Sequence, residues 1–205
     1  MPNDVMQIRS RGLAGLAAIV SADAAVAGWS DRLSRFAFTT REHDPFVWLT
    51  CVLALRSVSE GNFGVGAVIA KDGAILADGR NQAFYPTFQT GRHAEAVALD
   101  RFEDAFPQAG AAIGAVLFSS LECCPMCTVR LVNCGIRTVY YATADPDCGM
   151  IGRWSDLPEG YRRLSAGRVP PQTFGAADCT QDLVDAAAAI FALNADALAA
   201  IMAAR

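Results

Sequence analysis

Lysine is almost missing from this chain: of 17 basic residues in 205, only Lys71 is a lysine, and 21 acidic residues leave a net charge of −4. A face that grips a polyanion is built from clustered Lys and Arg set against phosphates. No such cluster stands out, so nucleic acid is not the expected partner. An apolar run of the ~18 residues that a membrane span requires is also missing, and no membrane association is expected. The charged fraction is low, at 19% against 53% hydrophobic residues, which excludes intrinsic disorder and leaves ample material for one buried core. An evenly spread set of cysteines, the mark of a disulfide scaffold, is absent as well. There are seven, an odd number, and Cys123, Cys124, Cys127 and Cys134 fall within a dozen positions. Clustered thiols point to metal or redox chemistry in a reducing compartment, so a cytoplasmic location is expected. Against this, Arg9 and Arg11 precede the apolar run 13–20, and Ala25-Val26-Ala27 resembles a signal-peptidase site. The alternative is an amphipathic helix with Leu13, Leu16, Ala17 and Val20 on one face.

Residues 1–44 read as a helical N-terminal extension, with one Ala-rich helix near 13–27 and a polar stretch at 39–44. The main domain, 45–205, opens with a helix for which Asp44 is the candidate N-cap and Pro45 the first helical residue. Glu60-Gly61-Asn62 stops that helix. Two short apolar runs, 65–70 and 74–78, flank Asp72-Gly73, a strong hairpin signal. A loop over 84–91 leads into a helix beginning near His93, with Ala94, Val97, Ala98 and Phe102 at helical spacing. A strand over 116–119, a helix over 125–134 ended by Gly135, and a strand over 137–142 form a βαβ unit whose strands should be parallel. A helix is expected over 154–164 and a last one over 178–204, while Val169-Pro170-Pro171 cannot form a central strand.

Two segments carry chemistry. His93-Ala94-Glu95 opens one helix, and Cys124-Pro125-Met126-Cys127 opens the next, directly after a strand. Two cysteines three positions apart at a helix start place both sulfurs on one face, near free N–H groups and the positive end of the dipole, which favours thiolate. With His93 as third ligand they make a tetrahedral zinc site with its fourth position open to water, as in catalytic rather than structural zinc. Glu95, two residues from the ligand, cannot bind the metal on the same face, but it can sit beside that water as a general acid–base. The combination H-x-E followed by P-C-x-x-C is the signature of zinc nucleobase deaminases. Alone, Cys-x-x-Cys could equally be a redox dithiol or half of a structural zinc site, and His-Ala-Glu is common by chance. His43 reads as a solvated loop residue.

The stretch from Pro45 to Leu157 resembles the cytidine deaminase-like superfamily, in its His-type branch of cytosine, guanine, nucleoside and tRNA-adenosine deaminases. The resemblance is carried by 64–68 (Gly-Val-Gly-Ala-Val), Gly79-Arg80-Asn81, the His-Ala-Glu triplet, Ser120-Leu121-Glu122 and the Cys-Pro-Met-Cys. It implies a three-layer α/β/α sandwich around a five-stranded mixed sheet, and one zinc per chain on His93, Cys124 and Cys127. It further implies Glu95 as proton shuttle, Asn81 hydrogen-bonded to substrate, and a homodimer. Asn81 could instead be a turn residue closing the second strand. Phe63, Ala94, Tyr85 and Trp154 are the other candidate substrate contacts, each also able to serve as core packing. The chain departs from the pattern at Cys123, where the family usually has Pro; an inert buried thiol is expected there. The substrates expected are an aminated heterocycle, as free base or nucleoside of guanine or cytosine type, and water, with ammonia released. The alternatives are a tRNA adenosine deaminase, a catalytically inactive zinc-binding interaction domain, and a specialised deaminase of a natural product or modified purine.

Overall fold

The computed structural model describes residues 2–108, 110 and 112–205. Strands β1 (Gly66–Lys71) and β2 (Ala74–Arg80) form the expected hairpin, with Asp72 and Gly73 at φ 51° and 86°, the left-handed conformation a two-residue turn requires. β1 also pairs antiparallel with β3 (Val116–Leu121), and β3 pairs parallel with β4 (Thr138–Thr143). The sheet order is β2-β1-β3-β4-β5, a five-stranded mixed sheet. Its fifth strand, β5 (Thr173–Ala176), lies parallel to β4 at the edge. At four residues, following two prolines, it is too short to announce itself by alternation.

Both faces of the sheet are covered, and its inner strands β1 and β3 are buried along almost their whole length. Val68, Ala70 and Phe118 face α3 (Asp44–Ser59) and α7 (Gln181–Ala192). Ala67, Ile69 and Leu117 face the opposite way, onto α4 (Ala94–Ala105) and α5 (Pro125–Cys134). The closeness of α4 to β2 depends on Gly79. A Cβ there would fall 2.5 Å from the Ala98 amide nitrogen and nearer still to the Ala94 carbonyl oxygen.

The N-terminal segment departs from the expected single helix over 13–27. It forms two helices, α1 (Pro2–Ala17) and α2 (Ala24–Arg35), because Asp23 starts a new one by accepting from the Ala25 and Val26 amides at 2.7 and 3.3 Å. Of the face proposed there, only Leu16 is buried; Leu13 and Ala17 are exposed, and Val20, in the connector, is 90% exposed. Both helices pack on α3. Ile8, Leu16, Val26 and Leu33 join its apolar cluster, and Trp48 donates its indole N–H to Leu33 O at 2.9 Å.

Four other expectations are corrected. Asp44 is not the cap of α3 but its first residue. Fully buried, it accepts from the Thr39 hydroxyl at 2.7 Å and the Thr180 amide at 2.8 Å, joining the starts of α3 and α7. His43 occupies the cap position and is no solvated loop residue. Its ring lies 4.3 Å from Tyr140 and 5.1 Å from Phe118, its Nδ1 accepts the Asp178 amide at 2.8 Å, and burial pulls its pKa down. The helix expected over 154–164 is a short 3-10 turn (Trp154–Asp156) followed by α6 (Glu159–Ala166). The last helix is likewise broken, into α7 and α8 (Ala195–Ala203), bent by 41°. At the break, Asn194 donates its side-chain amide to Asn62 O at 2.8 Å, a tertiary bond invisible to periodicity. No single described helix is long and apolar enough to cross a membrane.

Candidate metal centre and active site

The site lies where α4 and α5 begin. His93 is the N-cap of α4 and Cys124 the N-cap of α5, each in extended conformation, so the two helices aim their free N–H groups at one locus. Pro125 at the first helical position of α5 gives up only an amide the helix does not need. Gly135, at φ 83°, ends α5 in the left-handed conformation.

His93 Nδ1 lies 3.5 Å from Cys124 Sγ and 3.7 Å from Cys127 Sγ, and all three donor atoms fall within 4.8 Å of one another. Donors at the ~2.0 and ~2.3 Å distances of zinc–nitrogen and zinc–sulfur bonds, set on tetrahedral corners, stand about 3.5 Å apart. The donor set and its spacing therefore fit one zinc ion. The pKa of Cys124 is lowered to about 4, first by the hydrogen bond from Cys127 and then by His93, while the same bond and burial push Cys127 well up. The bond to Cys124 also holds His93 above its usual value.

Glu95, on the first turn of α4, is 3% exposed. Burial, and then the negative charge of Cys124, raise its pKa, so its carboxyl holds a proton more tightly than one in water. Cys123 is fully buried and stands outside the ligand triad. Its thiol hydrogen-bonds Glu95, burial pushes it well up, and its carbonyl accepts from the Met150 amide at 3.0 Å.

The other candidate substrate contacts have the following surroundings. Asn81, 3% exposed, accepts the Ala83 amide on its side-chain oxygen at 3.0 Å, turning the chain out of β2. Ala94 is wholly buried in the apolar cluster between sheet and helices. Phe63 packs against Phe84 and Phe191, with centroids 5.5 and 6.2 Å apart, and Tyr85 is 60% exposed. Trp154 packs on Phe174 of β5 at 4.6 Å. Glu122, in sequence no more than the end of the Ser-Leu-Glu stretch, has a structural task of its own. Buried beside the ligand strand, its carboxylate accepts the Gly152 amide at 2.6 Å and the Asp145 amide at 3.2 Å, tying down the loop after β4. Nothing local in the sequence pairs it with amides 23 and 30 residues away.

The chain matches the family described as the cytidine and deoxycytidylate deaminase zinc-binding region over residues 40–143. It belongs to that family. The chain is a zinc-dependent deaminase with the cytidine deaminase-like fold, and its His93, Cys124 and Cys127 are positioned to hold one metal ion. It is 33% identical over 117 residues to guanine deaminase of Bacillus subtilis (strain 168), covering 54% of this chain and 70% of that protein. Among solved structures it resembles one from a study of A-to-I editing by tRNA:A34 deaminases, with TM-score 0.56, 24% identity and coverage of 71% and 97% of the two chains. Another, solved in complex with 2,6-diaminopurine, gives TM-score 0.57, 19% identity and coverage of 73% and 82%. Those two likenesses establish the fold.

Proposed function

We propose that the deaminase acts on a free aminated purine or pyrimidine or its nucleoside, with a guanine-type ring the first choice. Carrying the chemistry is one observation: a buried carboxyl, Glu95, stands two residues from a metal ligand at the start of the same helix. The guanine reading is supported by the extent of the likeness to the guanine deaminase, which spans more than two thirds of that protein.

In this reading zinc, when bound, supplies the Lewis acidity that brings the pKa of water towards ~7. Glu95 takes a proton from the attacking water and passes it to the ring nitrogen beside the amino-bearing carbon. A bond from that carbon to oxygen forms. Glu95 then takes the proton of the added hydroxyl and carries it to the amino group, the carbon–nitrogen bond breaks, and ammonia leaves behind a ring carbonyl. Burial of Glu95 suits both halves of the cycle, because a carboxyl pushed up from its usual range gains and loses a proton nearer to neutrality. The amide nitrogen of Asn81 is the group we assign to hold the ring, and the aromatic rings of the 84–91 loop are assigned to cover it.

A small ring is favoured over RNA because the loop entering the site offers little to a phosphate. Across 84–92 the only charged side chain is Arg92, and its guanidinium is engaged by Gln82 Oε1 at 2.7 and 3.2 Å. A screen for ammonia release across purines, pyrimidines, their nucleosides and tRNA tests the assignment. We expect turnover of a base or nucleoside that changes little between ~50 and ~200 mM salt, since the salt slope scales with the number of phosphate contacts. Turnover of tRNA alone, falling steeply with salt, would overturn the small-ring reading. Zinc-loaded protein inert on every substrate would favour an interaction domain.

A further inference from the structure

The loop that runs from β2 to the metal ligand His93 is held by an amide side chain outside the loop, at Asn62. Its neck is closed by the bond from the Gln82 amide to Arg92 O at 2.9 Å, so the far limb of the loop leads directly into His93. Inside the neck, the Gln89 amide reaches Ala83 O at 2.8 Å. No strand or helix shapes the outer turn at 84–85. Instead, Asn62 Oδ1 accepts the Phe84 and Tyr85 amides at 2.8 and 2.9 Å, and Asn62 Nδ2 donates to Tyr85 O at 3.2 Å. One fully buried carboxamide thus satisfies three backbone groups of the loop.

Asn62 is itself fixed. Its carbonyl accepts the Asn194 side chain at the α7–α8 break, and its own amide donates to Ser57 O at 3.0 Å. The Ser57 hydroxyl, buried beside it, reaches Phe63 O at 2.7 Å and Asn81 O at 2.8 Å, so the last turn of α3 also holds the residue at the loop's root. Farther out, Phe84 meets Phe63 and Phe88 edge-on, at 5.5 and 5.4 Å.

We infer that Asn62 is a positioning residue for substrate: its carboxamide fixes the 84–85 turn of the loop that runs into the metal ligand His93, and so how tightly a ring is held. It touches neither the metal ligands nor the reacting atoms. The inference rests on the small-ring reading above. It goes beyond that reading by naming a specificity element that lies outside the loop and outside the deaminase motifs.

The side chain's two roles can be separated. Asn62→Asp keeps the oxygen that accepts from Phe84 and Tyr85 and loses the donor to Tyr85 O, whereas Asn62→Leu keeps the volume and loses all three bonds. With zinc content and thermal midpoint recorded for each protein, the readouts are KM and kcat on the substrate found in the ammonia screen. Backbone amide exchange across 83–91 is followed in parallel, without substrate. KM is expected to rise from wild type to Asn62→Asp and again to Asn62→Leu, with the last at least ~10-fold above wild type. We expect kcat within ~3-fold and full zinc in both, and faster exchange at 84 and 85 in Asn62→Leu. A general loss of structure would instead lower zinc and kcat together and leave KM alone. That result, or a folded and zinc-loaded Asn62→Leu protein with wild-type KM, would overturn the inference while leaving the substrate reading intact. Wild-type protein that turns over no base or nucleoside would overturn the substrate reading, and the inference with it.

Discussion

Glu95→Gln is expected to keep its zinc and its fold and to lose at least ~10²-fold in turnover, the usual worth of a positioned general acid–base. Gln matches Glu in size and can accept a hydrogen bond, so the packing of the first turn of α4 is unchanged. What it cannot do is carry a proton. The carboxyl is nearly wholly buried, beside Cys123 and within the field of Cys124. Metal analysis and steady-state rates on the same preparation separate the two effects. Equal rates in the variant and the wild type would remove Glu95 from the reaction and move the acid–base role elsewhere.

Cys124→Ala should give the largest loss, because it removes one of three metal ligands. Zinc content should fall from about one per chain to near zero. The stability that metal binding adds to the folded state should go with it, seen as a lower thermal midpoint that added zinc no longer raises. Cys123→Pro is the matched control. Cys123 lies outside the triad, and its carbonyl, which serves the Met150 amide, is retained by proline. We expect that variant to keep its zinc. Retention of metal by Cys124→Ala together with its loss from Cys123→Pro would mean the ligands had been assigned one residue out of place.

The metal site is legible in the sequence to a degree the rest of the chain is not, for a physical reason. A tetrahedral ion demands particular donor atoms at particular spacings, and helix starts place those atoms, so His93, Cys124 and Cys127 can be read as a set from local pattern. The βαβ unit and the Asp-Gly hairpin are equally local. What escapes such a reading is decided by bonds across the chain. His43 has the local surroundings of a loop residue, and only the Asp178 amide and the Tyr140 ring make it a packed one. The terminal helix reads as continuous because nothing in its own composition reports that Asn194 is drawn to Asn62. Glu122 reads as one more residue of a motif, yet its carboxylate gathers amides from a loop far along the sequence. The break between α1 and α2, in contrast, has a local cause in Asp23, but the run of alanines around it conceals the signal.

Gly79 gives the chemistry a dependence on a position that bears none of it. Gly79 sits on β2, paired to β1 at the edge of the sheet, and the space left by its missing methyl group sets the depth at which the first turn of α4 rests. Both His93 and Glu95 ride on that turn, while Cys124 and Cys127 ride on another helix with its own footing. An added methyl at 79 would therefore shift one half of the centre against the other, like a shim under one leg of a tripod. We expect Gly79→Ala to weaken zinc retention in chelator competition more than it lowers the thermal midpoint of the metal-free protein. In a lineage free to drift, the residue kept smallest here would be guarding an alignment of two helices rather than a turn.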